Sequence, residues 1–199
     1  MTFTKLHLAL LASAVIAVPT VATAQPNSDE RPARVGFEGG FGIYGGEINC
    51  SNSDGNELCD GITEAAGLDL HLNYFFSESI GIYADVWPMV HTEDNWTFTH
   101  NVVTVGVKVR PAPILTLAAG VGSAQARVSY EVGPFEGEKK SEVAPAVFVS
   151  AAVEVLRGRS FALDLQARAG LGFYGSDEND TSPDITGRNL GLGAALTWF

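Results

Sequence analysis

The sequence predicts an all-β chain folded as an eight-stranded antiparallel up-and-down transmembrane β-barrel. Three observations carry that prediction. Eight segments between Ala33 and Phe199 alternate apolar and polar residues at period two, and no stretch among them shows a convincing helical period. The connections between these segments alternate short and long. The polar face of the segments is rich in glycine and carries charges of both signs.

The N-terminus is read first, because it lies outside the barrel. Lys5 gives a positive start, Leu6 to Val18 an apolar run, and Ala22-Thr23-Ala24 a small-residue cleavage motif. This is the pattern of a secretory signal peptide over 1–24. The run is shorter than the ~20 residues a membrane-spanning helix needs. Residues 25–32 (QPNSDERP) are polar, hold two prolines and read as a short linker. The barrel occupies 33–199.

The predicted strands follow in order: 34–45, 66–76, 80–90, 96–109, 114–128, 144–156, 160–174 and 188–199. In the second, Leu68, Leu70, Leu72 and Tyr74 oppose Asp69, His71 and Asn73. In the third, Ile80, Ile82, Ala84 and Val86 oppose Tyr83 and Asp85. In the seventh, seven apolar residues from Phe161 to Phe173 oppose Asp164, Gln166, Arg168, Gly170 and Gly172. The fifth changes character: Leu117, Ala119 and Val121 share a face, but Ala124, Ala126 and Val128 are the apolar set beyond Gly122. A β-bulge near Gly122 is expected there, since one extra residue flips every following side chain.

Connections after the second, fourth and sixth strands are short (77–79, 110–113 and 157–159). Those after the first, third, fifth and seventh are longer (46–65, 91–95, 129–143 and 175–187). A meander collects all short turns at one end, the asymmetry of outer-membrane barrels.

Alternation alone also suits a soluble barrel with a greasy inside. Three features favour the opposite facing. Glu38, Asp69, His71, Asp85, Lys108, Glu154, Asp164 and Arg168, set among glycines, suit a narrow lumen that side chains just fill. Charges there must be paired, because unpaired burial is costly; Lys108, Arg168 and Arg127 are the expected partners of the acids. Aromatics gather near both strand ends, with Phe37, Tyr74, Phe76, Phe161, Trp198 and Phe199 by the short turns. Tyr44, Trp96, Phe98, Tyr130, Phe173 and Tyr174 lie by the long loops. Two aromatic belts around an aliphatic band mark two membrane interfaces. The strands also reach the 9–11 residues, roughly, that a tilted bilayer crossing needs. Closure requires the last strand to pair with the first, since lipid cannot satisfy a free edge.

The two cysteines, Cys50 and Cys59, lie in one polar segment, and export makes a disulfide between them the default. The formal charge is −11 and becomes −12 once 1–24, with Lys5 and no acids, is removed. An acidic chain without a basic patch argues against nucleic acid as a partner.

The alternating strands, the hairpin YFFSESIGIYADV and the terminus GLGAALTWF resemble the small outer-membrane β-barrel family of the OmpA/OmpX type. The resemblance covers about 33–199. It implies residence in the outer membrane of a Gram-negative-type bacterium, contact with lipid and lipopolysaccharide, and insertion by a barrel-assembly machinery. That machinery reads a C-terminal signal, matched here by Gly193, Leu196 and Trp198, with Phe199 one residue beyond.

Site chemistry is sparse. The four long connections hold 15 Asp or Glu and only two lysines, Lys139 and Lys140. This reads as a solvated acidic crown rather than a metal site, and NSDGNELCD lacks the register of a calcium loop. No serine stands two residues after a histidine, and no GxSxG, HExxH or P-loop motif occurs. A monomer without catalytic residues, cofactor or metal is expected, serving membrane integrity or surface interaction. A narrow channel is the first alternative and a lipid-modifying enzyme the second.

Overall fold

The computed structural model describes residues 34–52, 57–132, 135–175 and 185–199. The predicted signal peptide and linker lie outside the described residues, as do 53–56, 133–134 and 176–184. Nine strands follow the chain: β1 (Gly36–Asn52), β2 (Glu57–Phe75), β3 (Ile80–Glu93), β4 (Trp96–Ala112), β5 (Leu115–Val132), β6 (Phe135–Lys140), β7 (Ala144–Arg157), β8 (Phe161–Tyr174) and β9 (Ile185–Trp198). Eight of them close a barrel. Each pairs antiparallel with its neighbour, β5 passes directly to β7, and β1 pairs with β9 from Gly39↔Trp198 to Asn52↔Ile185. The ninth, β6, pairs with β5 alone, as a hairpin arm on the wall.

The wall is polar inside and apolar outside. Leu70 is 66% exposed while Asp69 beside it is 1% exposed. The same inversion runs through Ile80 and Ile82 against Tyr83 and Asp85, and through Val103 and Val105 against Thr104. Exposing such a continuous apolar band to water opposes the hydrophobic effect at every residue. The band therefore faces lipid.

Three expectations change. There is no bulge at Gly122: β5 keeps unbroken register with β4 (Val103↔Ser123, Thr104↔Gly122) and with β7 (Gly122↔Ala146). Ala124 is buried inward with Val102, Ala144, Ala146 and Tyr174. The lumen itself turns apolar at this height, which mimics a change of face. Register shifts lie instead at Gly46 to Ser51 in β1, Val109/Ala112 in β4 and Glu154/Leu156 in β7.

The second difference concerns the aromatics. The belt at the short turns is present: Phe37, Phe76 and Trp198 are exposed, Phe37 lies 4.8 Å from Tyr74, and Phe41 5.7 Å from Trp198. The belt at the long loops is not. Tyr44 and Tyr174 are buried inside the barrel. Trp96 and Phe98 pack against the interior cluster, and Tyr130, the register partner of Trp96, shares its face. Only Phe173 of that set keeps the outward parity of β8. The wall continues past the bilayer here, so its interior needs bulky filling.

The third difference explains the second. Most of the predicted long loops are paired sheet. β1 and β2 are 17 and 19 residues long, and Glu93 pairs with Trp96 across a two-residue turn, Asp94-Asn95. Asp94 turns the chain with φ of 45°, a left-handed conformation that aspartate tolerates. At ~3.3 Å per residue such strands outrun the ~25 Å apolar band even when tilted.

The facing is tested by charge insertion. Leu70→Arg is expected to cost ~2–4 kcal/mol in urea titrations of the barrel folded into lipid vesicles. Thr97→Arg, on the outward parity of β4 but beside the Asp94-Asn95 turn, should stay within about 0.5 kcal/mol of the parent. Equal losses at both positions would show that Leu70 does not meet lipid.

Candidate functional site in the barrel lumen

An eight-stranded barrel has just enough interior for side chains. The lumen is filled in three tiers, each built from inward positions of several strands.

The tier at the short turns is a guanidinium cluster on two glutamates. Arg34 Nε donates to Glu38 at 2.8 Å and its Nη1 to Glu154 at 3.0 Å. Arg110 Nη2 donates to both oxygens of Glu38 at 2.7 Å, and Arg157 Nη2 donates to Glu154 at 2.8 Å. Phe75 and Phe199 close this tier. The Arg110 guanidinium lies 3.5 Å from the Phe75 ring centre, and that of Arg34 4.2 Å from the Phe199 ring centre. The expected partners of the acids were Lys108, Arg168 and Arg127. For Glu38 and Glu154 they are instead Arg34, Arg110 and Arg157, residues at strand ends and turns. Long arginines reach from a rim into the mouth while their stems line the wall. Asp164 faces Glu154 in register and makes no ion pair among the described residues.

The middle tier centres on Arg168. Its Nη1 lies 3.2 Å from Asp69 and its Nη2 donates to Asp85. Its planar group also lies 5.0, 4.8 and 4.7 Å from the ring centres of Tyr44, Trp87 and Phe148. A buried guanidinium is tolerable only with such pairing, and aromatic faces add cation–π attraction. Trp87 itself is fully buried between Tyr44 and Phe148. Gly191 leaves the space Trp87 needs, since a Cβ there would meet its ring. Lys108 donates to Asn73 at 2.9 Å and lies over Tyr83 rather than meeting a carboxylate. Arg127 is outside the lumen altogether, 3.7 Å from Glu138 of β6.

His71 bridges within this tier: Nδ1 is 2.6 Å from Asp69 and Nε2 3.0 Å from Thr197. Acid, imidazole and hydroxyl stand in the order of a hydrolase triad. Yet Thr197 is buried, and Gly40 packs so close to His71 and the Leu196 carbonyl that even a methyl group would overlap both. The hydroxyl lies within this packed tier, closed off from the surface. Asp69, His71 and Asp85 also cluster closely enough to suggest a metal site. The Arg168 guanidinium already supplies the cation between those two carboxylates.

The third tier is small. His100 Nδ1 is 2.6 Å from Asn189 Oδ1, and Tyr174 Oη is 2.6 Å from His100 Nε2. The amide oxygen only accepts, so Nδ1 donates to it and Nε2 accepts from Tyr174. Sequence reasoning puts His100 and Asn189 on the polar face without naming them in the lumen network, and it leaves out Trp87. Strict parity from Asp85 and Thr104 identifies the inward positions of Trp87 and His100.

The C-terminal positions fall on both faces. Gly193 points inward and makes room for Tyr44, Leu196 and Trp198 point outward, and Phe199 lies against Arg34.

Arg168→Met is expected to destabilise the barrel by about 3–5 kcal/mol, because two buried carboxylates lose their partner. Adding Asp69→Asn and Asp85→Asn should recover most of that loss in the same urea titration. A single variant as stable as the parent, or a triple variant no better than the single, would contradict the cage.

No family model and no curated protein matches the sequence. Solved structures do resemble it. The attachment invasion locus protein Ail of Yersinia pestis aligns at 12% identity over 82% of this chain and 99% of its own, with a TM-score of 0.57. Ail in complex with the heparin analogue sucrose octasulfate aligns at 15% identity over 82% and 99%, with a TM-score of 0.56. Neisserial surface protein A aligns at 12% identity over 80% and 95%, with a TM-score of 0.50. At such identities the likeness concerns the fold, and the chain has the fold of the small outer-membrane eight-stranded barrels.

Proposed function

We propose that this is an integral outer-membrane protein that does not conduct and does not catalyse, and whose role is structural or adhesive at the cell surface. The observation carrying this reading is the packed middle tier. Arg168, its two carboxylates and the rings of Tyr44, Trp87 and Phe148 lie across the lumen at one height. A path for ions must break the buried ion pairs, which opposes the channel alternative. The enclosed Thr197 opposes the enzyme alternative. The sheet projecting at the long-loop end supplies the surface for interaction. Ail is the neighbour solved with a polyanionic sugar analogue; the acidic long connections of this chain disfavour such a ligand by like charge.

In planar bilayers the inserted protein is expected to give no stepwise conductance at neutral pH. Discrete steps that survive in single insertions would favour the channel.

The same reading includes export and a Cys50–Cys59 disulfide. The two stand opposite each other in the β1–β2 register. Antiparallel partners have Cα atoms about 4.5–5.5 Å apart, within the span of a disulfide. Iodoacetamide under denaturing, non-reducing conditions should label neither thiol in the exported protein. Labelling of both at full stoichiometry would remove the disulfide.

A further inference from the structure

Where the wall runs on past the bilayer, its outward residues change. Val103 and Val105 of β4 face the lipid. Near the Asp94-Asn95 turn the same face carries Thr92, Thr97, Ser129 and Glu138, register partners in one row across β3, β4, β5 and β6. The adjoining row runs through Trp96, Tyr130 and Gly137. At this free margin, residues of both rows and of the turn border one cavity of about 550 Å³. Tyr130 is 39% exposed, and its ring lies across Gly137, where a Cβ would overlap it. Trp96 is half-buried, with the His91 ring 5.4 Å from it between centres. The Thr92 and Thr97 hydroxyls share a hydrogen bond at 3.2 Å. Asp94 and Asn95 are exposed, and neither makes a side-chain hydrogen bond to another described residue.

We propose that this cavity binds a neutral sugar, a hexopyranose unit of an uncharged glycan met at the cell surface. The assignment rests on the surface-interaction reading above and names a ligand class within it. A pyranose presents hydroxyls around its rim, each able to donate and accept, and C–H bonds on its faces. Tyr130 and Trp96 supply flat, largely apolar surface for those faces at small cost in side-chain freedom. Thr92, Thr97 and Ser129 donate or accept, the Asn95 amide does both, and Asp94 accepts. A few rings with a few placed polar groups are the makeup of a small-molecule site, and the volume lies within the ~300–1,000 Å³ of such sites. Charge narrows the class. The Glu138 carboxylate is met by Lys140 at 2.7 Å and lies 3.7 Å from Arg127, so these two cations are already engaged. An anionic sugar would therefore meet the Asp94 carboxylate without a released cation to receive it. A quaternary ammonium has no hydrogen to offer the row of hydroxyls and acts through ring faces alone. Gly137 is a positioning residue, because it lets Tyr130 lie across the arm.

The test uses the signal-free chain folded in polyoxyethylene detergent micelles, which carry neither sugar nor ammonium. Saturation-transfer NMR reads the binding of neutral mono- to trisaccharides of glucose, galactose, mannose, fucose and N-acetylglucosamine. Choline and sucrose octasulfate serve as charged probes. At least one neutral sugar should bind, and more tightly than either charged probe. Tyr130→Ala should weaken it about tenfold, the upper scale of one lost aromatic contact. Tyr130→Phe should recover most of that loss, and Gly137→Val should reproduce it by displacing the ring. Thr97→Arg should abolish binding by filling the cavity. Absence of binding by every neutral sugar, or binding unchanged in both Tyr130→Ala and Thr97→Arg, overturns the proposal. Tighter binding of choline or sucrose octasulfate overturns the ligand class. Gel mobility before and after boiling, run on every variant, separates loss of the site from failure of the barrel. Intact cells test the reading beneath: Asn95→Cys should react with a membrane-impermeant maleimide. Failure to label, with sugar binding retained in micelles, overturns the surface reading. Labelling without sugar binding overturns this proposal alone.

Discussion

Closure is the constraint on which the rest of the molecule depends. In hydrocarbon no water can satisfy a free strand edge, so β9 has to return to β1. Their pairing runs from Gly39 to Asn52 without a register shift. Closing at eight strands sets the bore, and the bore sets what the inward residues can be. Glycine at positions such as 40 and 191 is the counterpart of large neighbours such as His71 and Trp87, which use the space it leaves. Charges are admitted only where partners converge from several strands. The Arg168 assembly draws on β1, β2, β3, β7 and β8.

The three tiers divide the lumen by chemistry. Nearest the short turns it is ionic and partly shielded by Phe75 and Phe199. In the middle it is ionic and aromatic together. Beyond that, it is apolar around one neutral hydrogen-bonded trio of His100, Asn189 and Tyr174. Each tier pairs its charges locally, yet buried atoms such as Tyr83 Oη, Trp87 Nε1 and Thr104 Oγ1 have no hydrogen-bond partner among the described residues.

Alternation at period two separated Leu68, Leu70 and Leu72 from Asp69, His71 and Asn73 but not inside from outside; the facing was legible in the glycines and charges of the polar face and in the aromatics by the short turns. What misled was reading residue type in place of parity. Ala124 and Val128 look lipid-facing because they are apolar, but the lumen is apolar at that height. Tyr44, Trp96 and Tyr174 look like interface residues because they are aromatic near strand ends, yet their strands continue beyond the interface. Arg34, Arg110 and Arg157 look like turn residues because they are, and nothing local says that their side chains reach inward. The ion-pair partners were therefore hidden by distance in sequence: Arg34 and Glu154 are 120 residues apart.

β6 has a consequence of its own. It extends the sheet beside β5 past the point where β7 departs, and its other edge pairs with no strand among the described residues. An edge of that kind is a template on which a foreign strand can be added. The residues it offers are Gly137, Glu138, Lys139 and Lys140, with Glu138 and Lys140 joined at 2.7 Å. Charges of both signs along a short edge penalise any apolar strand that approaches it. Crowded in a two-dimensional membrane at high density, neighbouring copies thus meet a guarded margin rather than a sticky one, and the arm can stand above the surface without nucleating aggregates.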